Sequence, residues 1–423
     1  MNYSEALQYI TSTSWQGSRL GLERTRELLK RLGDPQDKLR FVHIAGTNGK
    51  GSTAAMVASV LTSAGYCTGL NTSPSLYRFN ERMQVNGTPI TDEEVAQLTL
   101  QLRTAAEGME DTPTEFELVT ALSFLYFAYR KCDIVVLEVG MGGRLDSTNV
   151  VRTTEVAVIT TIGLDHTEML GDTVEKIAQE KAGIIKPGCA VVVSGQQQSV
   201  LDVVAKVASE AAAEMTVADP EELHYLQGDI TGQQLDYRQL KNLRLPLVGA
   251  HQRLNAATAL ATVEALQAKG WNITEESIRK GLAATVWPGR FELLSTEPVF
   301  IVDGGHNPQC AETVAATLRE LYGEKKIIFL MGLLADKDFN GVVDAVAPLA
   351  KCFYTVQPGS PRALTAEQLR AKLSAAYPGI SAESCGSVTQ GIAAAKAAAG
   401  ADDVICAFGS LYMLGAIRHE MGR

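Results

Sequence analysis

The stretch His43-Ile44-Ala45-Gly46-Thr47-Asn48-Gly49-Lys50-Gly51-Ser52 limits what this chain can fold into more than any other. An apolar run from Leu39 to Ala45 leads into it, and a helical pattern from Thr53 to Ala64 leads out. A strand, a glycine-rich turn carrying a lysine, and then a helix form a cradle for phosphate. The glycines let backbone N–H groups approach anionic oxygens, and the helix start adds unpaired donors and the positive end of its dipole. Lys50 offers a point charge to the outer phosphates and Ser52 a hydroxyl near a metal ion. Gly46, Thr47, Asn48, Gly49, Lys50, Gly51 and Ser52 are therefore candidate nucleotide-binding residues. The pattern departs from the general phosphate loop in two places. Ile44 stands where an early glycine belongs, and Gly51 separates Lys50 from Ser52. Taken alone, the stretch also fits a plain glycine turn with a solvated lysine.

The neighbouring pattern favours the phosphate site. Asp133 to Val139 is an almost unbroken apolar strand, as expected of a parallel sheet buried on both faces. Strands are expected at 67–71, 133–139, 156–162 and 189–194, with helices after Thr91, over 114–129, through Lys181 and over 200–213. This alternation predicts a doubly wound parallel sheet. Residues 195–250 carry the helix at 200–213 and suggest short strands, and 251–269 opens with His251-Gln252-Arg253-Leu254-Asn255 into an alanine-rich helix. Trp287-Pro288-Gly289-Arg290 reads as a hinge. Beyond it, strands near 299–303, 326–331, 352–356 and 403–408 alternate with helices over 310–322, 340–350, 365–376 and 388–399. The expected domains are 1–287 and 288–423. A chain of 423 residues suits two or three cores.

Several residues at strand ends can do chemistry. Glu138 is a carboxylate inside an apolar strand, so it is either satisfied by backbone N–H groups or placed for a cation. His166 follows the adjacent strand, and Lys181 lies near a helix end, where a lysine can also simply complement the dipole. Asp303-Gly304-Gly305-His306-Asn307-Pro308 and Gly409-Ser410-Leu411-Tyr412 are strand-end loops of the second half, on the side where open α/β sheets bind ligands. The basic cluster Arg19, Arg24, Arg26, Lys30 and Arg31 reads as a solvated face. No Ser/His/Asp or Cys/His nucleophile set is evident. An ATP and Mg²⁺ site facing a second set of loops across a hinge would suit phosphoryl transfer to a small acid or ATP-driven ligation.

Together these residues resemble the Mur ligase superfamily, and within it the folylpolyglutamate synthase/dihydrofolate synthase family. The matching segments are GTNGKGS (46–52), TSPSLYRFNERM (72–83), LEVGMGGRLDSTN (137–149), TTIGLDHTEMLGDT (160–173), EKAGIIKPG (180–188), GAHQRLNAATALA (249–261), WPGRFE (287–292), DGGHNP (303–308) and GSLYMLG (409–415). The resemblance implies an N-terminal P-loop-type doubly wound, mostly parallel sheet domain and a smaller C-terminal Rossmann-like α/β domain. It implies ATP-driven addition of L-glutamate to folates, and to dihydropteroate, through an acyl phosphate. Gly49, Lys50 and Ser52 would bind the triphosphate. Ser73 and Glu138 would hold one Mg²⁺, and Glu138, His166 and Lys181 a second. That lysine is carbamylated in the family, which fits because an ammonium repels Mg²⁺ and a carbamate attracts it. Asn255, Arg290 and Asp303 would serve the nucleotide. Arg82, His306 and Ser410 would receive glutamate, and Asp165 matches a pterin-pocket residue. Ser75 departs from the family, which commonly has histidine there, so the acceptor range stays open.

Two rival readings remain. A cell-wall Mur ligase acting on a UDP-linked peptide usually carries an extra N-terminal domain, and only residues 1–42 precede the phosphate loop stretch. A non-catalytic nucleotide switch would not need the Glu138–His166–Lys181 set. A net charge of −10 argues against nucleic-acid and anionic-membrane partners. Seven scattered cysteines without a CxxC pair suggest free thiols in a reducing compartment. A cytoplasmic monomer is expected.

Overall fold

The computed structural model describes residues 1–14, 17 and 19–422. The chain packs into two compact units and crosses between them more than once. The first comprises Met1–His224, Leu235–Arg244 and Arg253–Thr285, and the second Tyr225–Gln234, Leu245–Gln252 and Val286–Arg423.

The first unit is built on β1 (Phe41–Ala45), β2 (Thr68–Asn71), β3 (Met83–Val85), β4 (Thr88–Pro89), β5 (Ile134–Glu138), β6 (Thr154–Ile159), β7 (Ala190–Ser194) and β8 (Glu214–Ala218), in the order β4-β3-β2-β5-β1-β6-β7-β8. From β2 to β8 every pairing is parallel, and β3 and β4 form an antiparallel edge. The helices, in chain order, are α1 (Tyr3–Thr11), α2 (Glu23–Arg31), α3 (Lys50–Ser63), α4 (Asp92–Ala106), α5 (Glu115–Tyr129), α6 (Thr167–Leu170), α7 (Val174–Ala182), α8 (Gln198–Glu210), α9 (Ala250–Ala268) and α10 (Glu275–Ala283).

Burial explains why the central strands carry no apolar–polar alternation. Phe41, Val135 and Leu137 pack with Leu118, Leu122 and Phe124 of α5. Ala45, Ala157 and Ile159 pack with Ile177 and Ala178 of α7. The residues between them, Val42, Ile44, Val136 and Val158, are fully buried on the opposite face. Helix α10 was not legible in the sequence. It reaches α3 through Gly281, where an added Cβ would stand 2.4 Å from Val60 Cα, and Ser59 Oγ donates to Gly281 O at 2.6 Å.

One expectation for the basic cluster fails. Arg24 is not solvated: its Nε lies 3.0 Å from Glu117 in α5, and the Glu117 side chain is 1% exposed. Arg19 pairs with Asp111 at 2.8 Å. Arg24 ties α2 to α5.

Strands β9 (Leu223–Asp229), β10 (Gly232–Tyr237) and β11 (Leu240–Leu245) form a small meander. The second unit holds β12 (Glu292–Thr296), β13 (Val299–Val302), β14 (Ile327–Met331), β15 (Ala350–Val356), β16 (Ser381–Gly386) and β17 (Val404–Phe408), in the order β12-β13-β17-β14-β15-β16. Helices α11 (Pro308–Tyr322), α12 (Phe339–Val346), α13 (Ala366–Ala376) and α14 (Val388–Ala398) connect it. The helix expected over 340–350 stops at Val346, since Pro348 sits in a short 3₁₀ turn and β15 already starts at Ala350. Edge strand β16 lacks an apolar pattern because it is exposed or half-buried along its whole length. No helix among the described residues is long and apolar enough to cross a membrane.

Candidate active site

The site begins where β1 ends. An added Cβ at Gly46 would lie 1.8 Å from Thr160 Oγ1, so only glycine lets the chain pass the end of β6. Thr47 and Asn48 donate their backbone N–H groups to Thr161 O, at 2.9 and 3.2 Å. Gly49 adopts φ +86, in the left-handed region, and an added Cβ there would fall 2.3 Å from Asn255 Oδ1. Gly49 is also the N-cap of α3 and supplies no side chain to the helix's first N–H groups. Those donors suit an anion. Gly51 and Ser52 fall within the first turn of α3, where Ser52 is buried.

Two ammonium groups converge on this loop. Lys50 Nζ donates to Gly46 O at 3.1 Å and to Thr47 O at 3.2 Å. Lys181 Nζ, from the last turn of α7, donates to the same Gly46 O at 2.9 Å. Lys181 therefore points into the site and does not merely complement its own helix. Its side chain is 5% exposed, and burial, then the charge of Lys50, pushes its pKa down to about 7. Lys50 and Lys181 line one small cleft with Gly46, Gly140, Asp165 and His166.

The remaining candidates sit as follows. Glu138 ends β5, is 5% exposed, and accepts from Ser73 N at 3.2 Å just beyond β2. His166 follows β6 in a left-handed conformation with its side chain half exposed, 3.9 Å from Asp165. Arg82 lies outside the lining of the Lys50–Lys181 cleft, 3.4 Å from Ser75 Oγ and over the Phe79 ring. In the second unit, Asp303 follows β13 and accepts from Phe291 N at 2.8 Å and Gly305 N at 2.7 Å. Burial raises its pKa, opposed by Arg290. An added Cβ at Gly304 would meet Leu411 Cδ2 at 2.2 Å and Arg290 Nη1 at 2.8 Å, so Arg290 and the Ser410 loop both close on this turn. His306 Nδ1 is 3.1 Å from Gly304 O, and Ser410 is buried and caps the turn before Tyr412. Arg290, Asp303, His306 and Ser410 thus form one cluster at the ends of the paired strands β13 and β17.

Against known proteins, the Mur ligase middle domain family matches residues 44–263, and the Mur ligase, glutamate ligase domain family matches residues 289–411. The chain is 37% identical over 430 residues to the dihydrofolate synthase/folylpolyglutamate synthase of Bacillus subtilis, covering 99% of each. It belongs to this family of Mur ligases. It is an ATP-dependent ligase. The Lacticaseibacillus casei folylpolyglutamate synthase is 39% identical over 378 residues, covering 86% of this chain and 87% of its own. Escherichia coli FolC in complex with DHPP and ADP superposes with a TM-score of 0.88 at 34% identity, covering 100% of this chain and 98% of that one.

Next to the site lie residues that sequence reasoning did not single out. His43, fully buried in β1, has Nε2 3.0 Å from Thr148 Oγ1, and Thr148 Oγ1 donates to Asp146 Oδ1 at 2.6 Å. With the hydroxyl proton committed to Asp146, His43 must donate through Nε2. Burial holds His43 neutral, with its pKa pushed down to about 3. Asp146 also accepts from Met141 N at 2.8 Å, which fixes the loop after Glu138. The only sequence sign was a histidine inside an apolar strand.

The donor set fits a hard cation. Glu138 offers a buried carboxylate that accepts from Ser73 N, and Mg²⁺ needs only one or two protein ligands beside phosphate and water. Among the described residues no group of three or more His, Cys, Asp or Glu could hold a metal without such help. Lys181 as an ammonium donates to Gly46 O and cannot ligate a cation.

Proposed function

We propose that this ligase adds L-glutamate to folates, and to dihydropteroate, through an acyl phosphate. The observation that carries the reading is the meeting of Lys50 and Lys181 on one carbonyl, Gly46 O, at the mouth of a helix start with no side-chain cap. Two ammonium groups that close repel one another; a carbamate on Lys181 would turn that repulsion into attraction and leave Lys50 as the cation for a polyphosphate chain.

The chemistry needs no protein nucleophile. The acceptor carboxylate attacks the γ-phosphorus, the bond to the β-phosphate oxygen breaks, and ADP leaves. The amine of glutamate then attacks the acyl carbon, loses a proton, and phosphate departs. Positioning and charge neutralisation carry such a reaction. Gly46 to Ser52 and Asn255 bind the nucleotide, with Arg290 and Asp303 contributed by the second functional domain, from residue 288 on. Ser73 and Glu138 would hold one Mg²⁺, and Glu138, His166 and a carbamylated Lys181 a second. Bound magnesium supplies neutralisation of the phosphate charge. A lysine pushed to about 7 supports the carbamate, since the neutral amine is the form that reacts with carbon dioxide. Arg82, His306 and Ser410 take glutamate, and Asp165 borders the pterin. A cytoplasmic monomer completes the reading.

ADP release is measured with L-glutamate and either 7,8-dihydropteroate or tetrahydrofolate. Stimulation by both is expected. Stimulation by tetrahydrofolate alone removes the dihydropteroate half, and stimulation by neither overturns the proposal.

A further inference from the structure

Lys181 reaches the phosphate loop only because the end of α7 is held against the loop that follows β5. The two backbones touch. An added Cβ at Gly143 would lie 2.7 Å from Glu180 O and 2.9 Å from Lys181 Cα, and one at Gly183 would lie 2.4 Å from Arg144 Cβ. Arg144 N donates to Glu180 O at 2.8 Å, and its guanidinium meets Glu180 Oε1 at 2.8 Å. Such contact buries carbonyls that the helix end and the loop cannot satisfy themselves.

Asn149 resolves this. Its Nδ2 donates to both Arg144 O and Gly183 O, each at 3.0 Å. One amide thus bridges the loop and the α7 end two residues past Lys181. Both Nδ2 protons are used, so the amide orientation is set, and Oδ1 is left as acceptor. Lys186 fills that place: its Nζ donates to Asn149 Oδ1 at 2.6 Å and lies 3.4 Å from Asn149 O. Among the described residues no carboxylate pairs with Lys186. Burial pushes its pKa down to about 8. An ammonium taken from water onto a neutral amide costs stability, which marks the contact as one serving placement.

We propose that Asn149 and Lys186 are positioning residues for the ligation, a clamp that holds the end of α7 so that Lys181 stays at Gly46 O. The clamp rests on Lys181 belonging to the working site. It acts only through Lys181 and touches no substrate.

The test is steady-state ligation with Lys186→Met, Lys186→Arg and Asn149→Ala beside Lys181→Ala, with ADP affinity by calorimetry and thermal melting on each. For Lys186→Met, kcat should fall at least tenfold while KM for the folate stays within about threefold, and ADP should bind more weakly. Lys186→Arg should recover most of kcat, because a cation is again offered to Asn149 Oδ1. Asn149→Ala should match or exceed the loss. If Lys186→Met melts lower but keeps wild-type kcat and ADP affinity per folded molecule, the residue is merely structural and the clamp is overturned. Wild-type activity in Lys181→Ala overturns the reading of Lys181, and the clamp with it. Loss in Lys181→Ala with wild-type kcat in both Lys186→Met and Asn149→Ala overturns the clamp alone.

Discussion

Replacing Gly49 with alanine tests the phosphate loop at its tightest point. Two costs can be separated. A non-glycine residue at φ +86 is held in the left-handed region, worth about 1–2 kcal/mol. The new Cβ would also stand 2.3 Å from Asn255 Oδ1, so Asn255 must swing away from its rotamer, at a further cost of about 1 kcal/mol. The free enzyme can escape part of the strain by relaxing the loop, but nucleotide binding requires the native loop, so the cost should appear in affinity. About 2–3 kcal/mol corresponds to about 30- to 150-fold weaker ADP binding. Calorimetry of Gly49→Ala, Asn255→Ala and the double variant reads this directly. Asn255→Ala removes the atom under the new Cβ, so the double variant should bind several-fold better than the product of the two single losses predicts. ADP binding within twofold of wild type in Gly49→Ala would refute the account of the turn. Strictly multiplicative losses would refute the contact between Gly49 and Asn255.

The other expectations concern the scaffold. Arg24→Met leaves Glu117 buried with, among the described residues, only Thr114 N as a donor at 2.7 Å, and breaking such a pair should cost about 3 kcal/mol in urea denaturation with kcat unchanged. A loss under 0.5 kcal/mol would show the pair to be worth no more than a surface one. His43 has a folded pKa near 3, below its ordinary value of 6.5, so between pH 6.5 and 3 the unfolded chain takes up a proton that the folded chain refuses. Stability should therefore fall as pH drops through that window, and His43→Gln should flatten the slope of the urea midpoint against pH. An unchanged slope would place the acid sensitivity elsewhere.

What could be read from the sequence divides along a physical line. Strands buried on both faces and the helices between them show as runs and periods, so β1, β5, β6 and α5 were placed within a few residues. The edges escaped notice. β16 reads Ser-Ala-Glu-Ser-Cys-Gly and β4 is Thr-Pro, and an edge strand keeps its hydrogen bonds without an apolar pattern. Arg24 was misjudged for a related reason. A charge on a helix looks solvated until the partner, here Glu117 in another helix, is placed beside it.

The site shows the same limit more sharply. Gly46 to Lys50 announced itself because its geometry is local: glycines, a lysine and a helix start lie within a few residues of each other. Lys181 could be found as a residue but not as a direction, since nothing near it in sequence says that its ammonium leaves its own helix for Gly46 O. The turn Asp146-Ser147-Thr148-Asn149 is the extreme case. Three of its side chains are spent on groups distant in sequence or on the loop itself. Thr148 meets His43 of β1, Asp146 holds Met141 N, and Asn149 joins Gly183 O to Lys186. Each residue type is ordinary in a turn. Only the crossing of β1, the loop after β5 and the end of α7 turns three polar residues into the support on which the two lysines meet.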